Sequence, residues 1–319
     1  MSLEFKNINE FQLNEVVTGF YIIKSVEVKT GSNGKKYMDF VFGDKSGEIN
    51  GKLWDADENQ QQMYTDQMLV KVKGLVNSWQ NVLQLKIDLI RPVEERDDVN
   101  IEDFVPCAPF EAEYMYNEIL NYINNMENRE ISSLVLKIFE GYKDKLKYYP
   151  AAKKNHHSIR TGLLYHIMTM LSLGKKICEI YDFLNSDILY GGIILHDLAK
   201  MEEMDSTELG IVREYTTEGT LLGHITQGIK NVELAGRELN TNREIIMILQ
   251  HMILSHHYEP EYGSPVKPMI PEAEILLHID IIDARMFDMR KVTAETEPGG
   301  FSERLWSLEN RRIYKPQEF

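Results

Sequence analysis

The spacing of apolar positions changes character once along this chain, near residue 110. Upstream, apolar and polar residues alternate with the period of two that marks half-buried strands. Residues 16–28 are rich in β-branched and aromatic side chains, and the turn Gly31-Ser32-Asn33-Gly34 follows them. In Tyr37-Met38-Asp39-Phe40-Val41-Phe42 the alternation sets Met38, Phe40 and Phe42 on one face and Tyr37, Asp39 and Val41 on the other. A second turn, Gly43-Asp44-Lys45-Ser46-Gly47, leads into a strand over 48–54. The polar segment 55–67 reads as helical, and strands are predicted over 68–76 and 82–90.

Downstream the apolar residues recur every three or four positions. Helices are predicted over 111–126, 129–142, 158–181, 186–199, 221–240, 244–254 and 272–289, the last with Ile275, Ile279, Ile282 and Met286 on one stripe. Between the two regimes, residues 94–109 carry Glu94-Glu95, Asp97-Asp98 and Glu102-Asp103, follow Pro92 and are broken by Pro106, show no period and read as a linker. The expected organisation is therefore two-domain, β then α. Residues 11–93 form a barrel, since five strands with a helix after the third is the order of an OB-fold. Residues 110–292 form an all-α bundle and 293–319 a C-terminal tail. In that tail a Phe301/Leu305/Trp306 cluster follows the turn Glu295-Thr296-Glu297-Pro298-Gly299-Gly300, and either docks back onto the bundle or meets another subunit.

Composition narrows the class without naming the chemistry. The 319 residues are 43% hydrophobic and 27% charged, as in ordinary soluble proteins. No apolar run approaches the roughly 20 residues that span a bilayer, and Met1-Ser2-Leu3-Glu4-Phe5-Lys6 does not resemble a signal peptide. The two cysteines, Cys107 and Cys178, have no pairing or metal-ligand pattern, so a cytoplasmic, reducing setting is expected. A net charge of −15 argues against a surface that attracts polyanions everywhere. It leaves room for a local basic groove, and lysines do cluster at Lys35-Lys36, at Lys71 with Lys73, and from Lys143 to Arg160. Each cluster is equally readable as a solvated face.

The chemistry-bearing residues gather in the helical part. All nine histidines lie between positions 156 and 278. The apolar run Gly191-Gly192-Ile193-Ile194-Leu195 delivers His196-Asp197 at its end, with Lys200 three residues on. A buried carboxylate needs a counter-charge, and an imidazole beside a carboxylate can begin a metal site. Alone, the pair reads equally as a core histidine beside a turn-capping aspartate. Further donors follow: His166 within an amphipathic helix, His224 after Gly223, His256-His257 at a helix end, and Asp280 and Asp283 on one stripe of the last helix.

A His, a His-Asp, a His, a His-His and a closing Asp on successive helices resemble the metal-ligand pattern of the HD phosphohydrolase superfamily. A narrower resemblance lies in Tyr149-Pro150-Ala151-Ala152-Lys153-Lys154-Asn155-His156-His157, in Gly162-Leu163-Leu164-Tyr165-His166, and in Ile194-Leu195-His196-Asp197-Leu198-Ala199-Lys200. Gly223-His224-Ile225 and Leu254-Ser255-His256-His257, with Glu261-Tyr262-Gly263-Ser264-Pro265, belong with them. Together these resemble the YhaM-type 3′→5′ exoribonucleases, which join an OB domain to an HD domain; Tyr258 departs from the glycine expected after the His-His pair. The stretch from Lys36 to Asp55 likewise resembles OB modules that bind single-stranded nucleic acid. Tyr37, Lys52, Trp54 and Trp79 are its candidate contacts, with barrel packing as the alternative for each aromatic.

The resemblance implies that His166, His196, Asp197 and Asp280 hold one ion, and that Asp197 bridges to a second held by His224 and by His256, His257 or both. Spacing alone does not separate Asp280 from Asp283. His251 is an alternative ligand or a residue behind the ligands, and His278 is structural. His156 and His157 either touch a substrate phosphate or pack the helix start. Mixed imidazole and carboxylate donors suit a transition metal better than magnesium; Mn2+ is expected, with Co2+, Fe2+ and Ni2+ as the other candidates. The implied activity is two-metal, 3′→5′ hydrolysis of single-stranded RNA, or also single-stranded DNA, to nucleoside 5′-monophosphates, with Lys200 neutralising phosphate charge or orienting Asp197. The competing readings are a nucleotide or cyclic-dinucleotide phosphohydrolase with a regulatory OB domain, and a non-catalytic single-strand-binding protein. Homo-oligomerisation is left open.

Overall fold

The computed structural model describes residues 6–31, 34–94, 96–97, 99–154 and 156–318, apart from the side chain of Tyr262. The N-terminal segment before Lys6, Ser32 and Asn33 of the first turn, Glu95 and Asp98 of the acidic stretch, and Asn155 ahead of the histidine pair lie outside the described residues. The chain divides into two compact units, the first ending at Pro106 and the second beginning at Cys107.

The first unit is a closed barrel of order β1-β2-β3-β5-β4. Its strands are β1 (Val16–Thr30), β2 (Lys36–Asp44), β3 (Gly47–Trp54), β4 (Leu69–Trp79) and β5 (Val82–Pro92), with α1 (Glu58–Met63) after the third. Asp57 starts that helix through a capping box with Gln60, its carboxylate accepting the Gln60 amide at 2.8 Å. Closure depends on the long β1, which pairs with β4 through its first half and with β2 through its second. A register shift between Ile23 and Ser25 marks the change of partner, a bulge of the kind that bends barrel strands. Met38, Phe40 and Phe42 face inward and are buried, as their alternation requires. The acidic stretch is tied to the barrel through Asp97, which accepts both terminal nitrogens of Arg91 (2.6 and 2.7 Å) and Lys71 Nζ (3.0 Å), and through Asp103, which accepts Lys45 Nζ at 3.3 Å.

The second unit is helical: α2 (Ala112–Asn124), α3 (Arg129–Gly141), α4 (Lys143–Leu146), α5 (Gly162–Ile180), α6 (Ser186–Leu195), α7 (Lys200–Glu203), α8 (Thr217–Leu239), α9 (Arg243–Ser255) and α10 (Pro271–Glu295). Polar side chains set several starts. Asn128, Asn185, Thr216 and Asn242 each accept a first-turn amide, and Pro271 occupies the first turn of α10. Helix α6 is apolar nearly all round, so it fits only in the middle of the bundle, where residues from Gly191 to Leu195 are buried. Gly192 makes that position workable: a Cβ there would sit 2.3 Å from Met252 of α9.

Two expectations need correction, and one stretch left without a predicted helix carries an addition. Over residues 204–215, β6 (Met204–Ser206) and β7 (Val212–Tyr215) form a hairpin turning at Gly210, whose φ is +73°. Helix α5 starts at Gly162 rather than at 158, because His157 and Thr161 take left-handed φ of 52° and 63°. On α10 the stripe Ile275, Ile279, Ile282, Met286 is not the buried one. Ile282 and Met286 are about half exposed, while Ala273, Leu276, Ile279 and the polar Asp283 face inward. The tail folds back against α10: Phe301 bridges to Tyr314 and Leu305 to Arg311, Leu308 is buried, and Arg285 of α10 pairs with Glu309 at 2.5 Å. Within the expected cluster, Phe301 and Trp306 remain exposed.

Candidate metal centre

The helix ends of the second unit bring their polar residues to one place. His196 and Asp197 follow the last residue of α6, and His256 and His257 follow the last residue of α9. Both helices thus turn their carbonyl ends, with partial negative charge, toward the same point, which favours a cation there. His166 comes from α5 and Asp280 and Asp283 from α10. His224 comes from α8 just after Gly223, whose φ of +69° breaks the helix before it resumes.

Asp197 lies at the middle. Its Oδ1 faces His224 Nε2 at 3.4 Å and His256 Nε2 at 3.8 Å; its Oδ2 faces His196 Nε2 at 3.3 Å, His166 Nε2 at 3.9 Å and Lys200 Nζ at 2.6 Å. His166 Nε2 is also 3.3 Å from Asp280 Oδ1. Donors held ~2.1 Å from a common ion lie roughly 3.0–3.5 Å apart, so several of these spacings suit shared coordination without rearrangement.

The protonation of the imidazoles follows from their outer nitrogens. His196 Nδ1 donates to the Ile193 carbonyl at 2.8 Å, and His256 Nδ1 to the Ile253 carbonyl at 2.7 Å. Each carbonyl belongs to the residue three positions back, so the same local device orients both rings. His166 Nδ1 meets Asp283 at 2.7 Å and His224 Nδ1 meets Glu203 at 3.0 Å. All four rings therefore direct Nε2 at the cluster, and all four Nε2 atoms are buried without a hydrogen-bond partner, as is Asp197 Oδ1. Orphaned buried acceptors are costly; five converging on one point are the donor set a divalent cation would satisfy. The chemistry of these residues fits such an ion.

Electrostatics agree. Burial alone would raise the Asp197 carboxyl, but Lys200 and His196 outweigh it and hold it well below the usual range. Burial would lower the Lys200 ammonium, and Asp197 outweighs that and raises it. Asp280 and Asp283 are both held low despite burial, the first chiefly by the neighbouring His166 and the second by hydrogen bonds with His157 and His166. Burial opposes charge on His166, yet the two carboxylates carry it up to about 10, so an ion binding at Nε2 would displace a proton.

The structure separates two residues that spacing could not. Asp283 uses Oδ2 for both His157 Nε2 and His166 Nδ1, each at 2.7 Å, so it stands behind His166. Asp280 faces the donor side. His157 is accordingly buried against Asp283 and Phe287 rather than turned to the cleft, whereas His156 lines the cleft and burial lowers its pKa to about 3. His257 sits 3.9 Å, ring to ring, from His256, close enough to join Asp197 and His224 around an ion. His251 does not join the cluster: its Nε2 accepts the Met269 amide at 2.9 Å. His278 pairs with Glu274 on the surface. The residue that sequence reading missed is Glu203, which holds both the ring and the amide of His224; nothing in Lys200-Met201-Glu202-Glu203 distinguishes it from its neighbour Glu202.

Lys200, His224, His256, His257 and Asp280 line a cleft of about 990 Å³, at the upper end of the ~300–1,000 Å³ range of small-molecule sites. On the barrel, Tyr37 and Trp54 are cross-strand partners with ring centroids 4.7 Å apart, and Lys52 lies 5.4 and 5.9 Å from the two rings. Trp79 stands apart at the β4–β5 turn, 65% exposed.

Comparison with known proteins agrees with this arrangement. A model of the OB-fold nucleic acid binding domain matches residues 22–93, and a model of the HD domain matches residues 163–285. The 3′-5′ exoribonucleases YhaM of Bacillus pumilus and Bacillus subtilis are each 42% identical over 311 residues, covering 98% of this chain and 98% of theirs. That of Oceanobacillus iheyensis is 40% identical over 304 residues, 95% of each chain. No helix among the described residues is long and apolar enough to cross a membrane. With full-length similarity, both domain models and the helix-end histidines in agreement, the chain belongs to the YhaM family of 3′-5′ exoribonucleases.

Proposed function

We propose that the protein is a metal-dependent 3′→5′ exoribonuclease that removes nucleoside 5′-monophosphates one at a time from single-stranded RNA, in a cytoplasmic setting. The observation that carries this is the set of four orphaned Nε2 atoms around Asp197, two of them on His224 and His256, which line a cleft large enough for a nucleotide. His166, His196, Asp197 and Asp280 would hold one divalent ion. His224, His256 and His257 would hold a second, with Asp197 shared between them. Mn2+ is the expected metal, since imidazole-rich sites do not favour magnesium. When bound, such ions supply Lewis-acid polarisation of the phosphodiester and the acidity that makes water a nucleophile at neutral pH.

The chain's own residues do the rest. Asp283 and Glu203 fix the rings of His166 and His224, and the Ile193 and Ile253 carbonyls fix those of His196 and His256. Lys200 stays protonated against Asp197, which keeps that carboxylate ionised and places a positive charge in the cleft lining. His156, neutral at physiological pH, offers the substrate a hydrogen-bonding ring rather than a charge. Water adds at phosphorus, the bond to the 3′-oxygen of the preceding nucleotide breaks, and the products are a 5′-monophosphate and a strand with a new 3′-hydroxyl. Tyr37, Lys52 and Trp54 of the barrel hold single-stranded RNA by stacking and charge, and single-stranded DNA presents the same features.

The test is product analysis. Protein with Mn2+ is incubated separately with an unlabelled RNA strand, with mononucleotides and with cyclic dinucleotides, and the products are resolved chromatographically. Release of 5′-monophosphates from the strand supports the proposal. Turnover of the small nucleotides alone would replace it with a nucleotide phosphohydrolase.

A further inference from the structure

The C-terminal tail presents a residue that the metal centre does not account for. Trp306 and Ser307 line the same cleft as Asp280 and His256. Trp306 is 75% exposed, although Leu308, two residues on, is completely buried. Among the described residues no aromatic ring or cation stacks on its indole. A large apolar side chain left open in a loose loop would mean little, but this turn is held at many points. The Leu305 carbonyl accepts the amides of Leu308 (3.2 Å) and Asn310 (2.9 Å), and the Trp306 carbonyl accepts that of Glu309 (3.1 Å). Glu309 and Asn310 adopt left-handed φ of 59° and 57° to close the turn, and Glu309 is tethered to Arg285 of α10 at 2.5 Å. The turn is ordered, anchored on the helix that carries Asp280, and its indole is left uncovered.

Other residues lining the cleft have different chemistry. Lys153 and Lys154 line it with Tyr215; Lys153 lies 5.7 Å over the Tyr215 ring and donates to the Arg213 carbonyl at 3.0 Å. Arg285, which anchors the Trp306 turn, already has a carboxylate partner. The tail thus offers a flat apolar surface with its charge compensated, and the lysine pair offers positive charge. A nucleotide divides in the same way, into an apolar ring face and an anionic backbone.

We propose that Trp306 is the base-stacking residue of this cleft. Its indole holds a nucleobase near the 3′ end of the strand while the Lys153-Lys154 pair takes backbone phosphate. This rests on the reading of the cleft as a single-strand hydrolase site. Stacking uses the face that every base shares, so it secures the strand end without selecting sequence.

The test uses the full chain with Trp54→Phe and Trp79→Phe, which leaves Trp306 as its sole tryptophan. In EDTA, its emission is titrated with a tetrauridylate and with an abasic tetramer of the same backbone. Saturable quenching by the first and none by the second is expected; no quenching by either overturns the proposal. In the otherwise unaltered chain, Trp306→Ala should raise KM for short RNA about tenfold, within the roughly 5- to 150-fold span of a lost base–aromatic stack, with kcat within about twofold. Trp306→Phe should restore most of the loss and Trp306→Leu should not. An unchanged KM in Trp306→Ala overturns the proposal, as does a changed mass in light scattering with unchanged oligonucleotide affinity, which would assign Trp306 to a subunit contact. Failure of the exoribonuclease reading would look different: the unaltered protein with Mn2+ would release no monophosphate from RNA, whatever Trp306 emission does.

Discussion

Asp283→Ala separates the carboxylate that would hold an ion from the one that holds a ligand. Asp283 is buried, and its Oδ2 accepts two buried N–H groups, one from His157 and one from His166, each at 2.7 Å. Truncation leaves both donors without an acceptor, at about 1–3 kcal/mol each. Water entering the vacated space recovers part of this, so a loss of about 3 kcal/mol is expected for the metal-free protein. At about 2–4 °C per kcal/mol for a unit of this size, the helical part should melt roughly 6–12 °C lower. His166 would also lose its fixed orientation, and Mn2+ affinity should fall about 10- to 100-fold. Asp280→Ala should behave oppositely. Its carboxylate approaches His166 on the donor side, 3.3 Å from Nε2, so its removal should cost less metal-free stability than Asp283→Ala does and more metal affinity. Scanning calorimetry in EDTA gives the first quantity and titration calorimetry with Mn2+ the second. If Asp283→Ala melts with the wild type in EDTA while Asp280→Ala is strongly destabilised, the two roles have been assigned the wrong way round.

Other outcomes follow from the same geometry. Glu203→Ala frees the His224 ring and should raise the Mn2+ concentration for half-maximal activity about 10- to 100-fold, read from a metal titration of the rate. Trp54→Ala breaks the Tyr37–Trp54 pair on the barrel; binding of a twenty-nucleotide strand should weaken about fivefold or more in a filter-binding assay, with cleavage of a trinucleotide unchanged. The Asp97 carboxyl is held below its ordinary range by Arg91, by the Glu94 amide and by Lys71. Its stabilising contribution is therefore present above about pH 4 and is lost as pH falls below that value. Acid unfolding of the barrel between about pH 5 and 2 should accordingly be shallower in Asp97→Asn than in the wild type, followed by circular dichroism.

Much of this arrangement was legible because it is local. Alternation at 37–42 sets the barrel's inner face, and Asn128, Asn185 and Asn242 announce helix starts through chemistry confined to one turn. The histidines are legible as a group because all nine fall between positions 156 and 278. What escaped depends on contacts between distant segments. Glu203 matters only because Gly219 lets α8 approach it closely enough to meet His224; a Cβ at Gly219 would lie 2.1 Å from the Glu203 carbonyl. The buried stripe of α10 was misread because Asp283 faces the interior, where hydrophobic periodicity expects an apolar residue. His157 reads equally as a substrate contact or as packing at the helix start, and its left-handed φ and bond to Asp283 turn it inward. The hairpin at 204–215 lay in a stretch too short and polar to show its own period.

The central claim is that RNA is shortened from its 3′ end at the cluster around Asp197. Single-stranded RNA labelled at its 5′ end, incubated with Mn2+ and sampled over time, measures this directly. The wild type should yield a descending ladder that keeps the label until the shortest products. Asp197→Ala, folded as judged by circular dichroism, should yield none. Immediate release of labelled mononucleotide, or a ladder from Asp197→Ala equal to that of the wild type, would contradict the account.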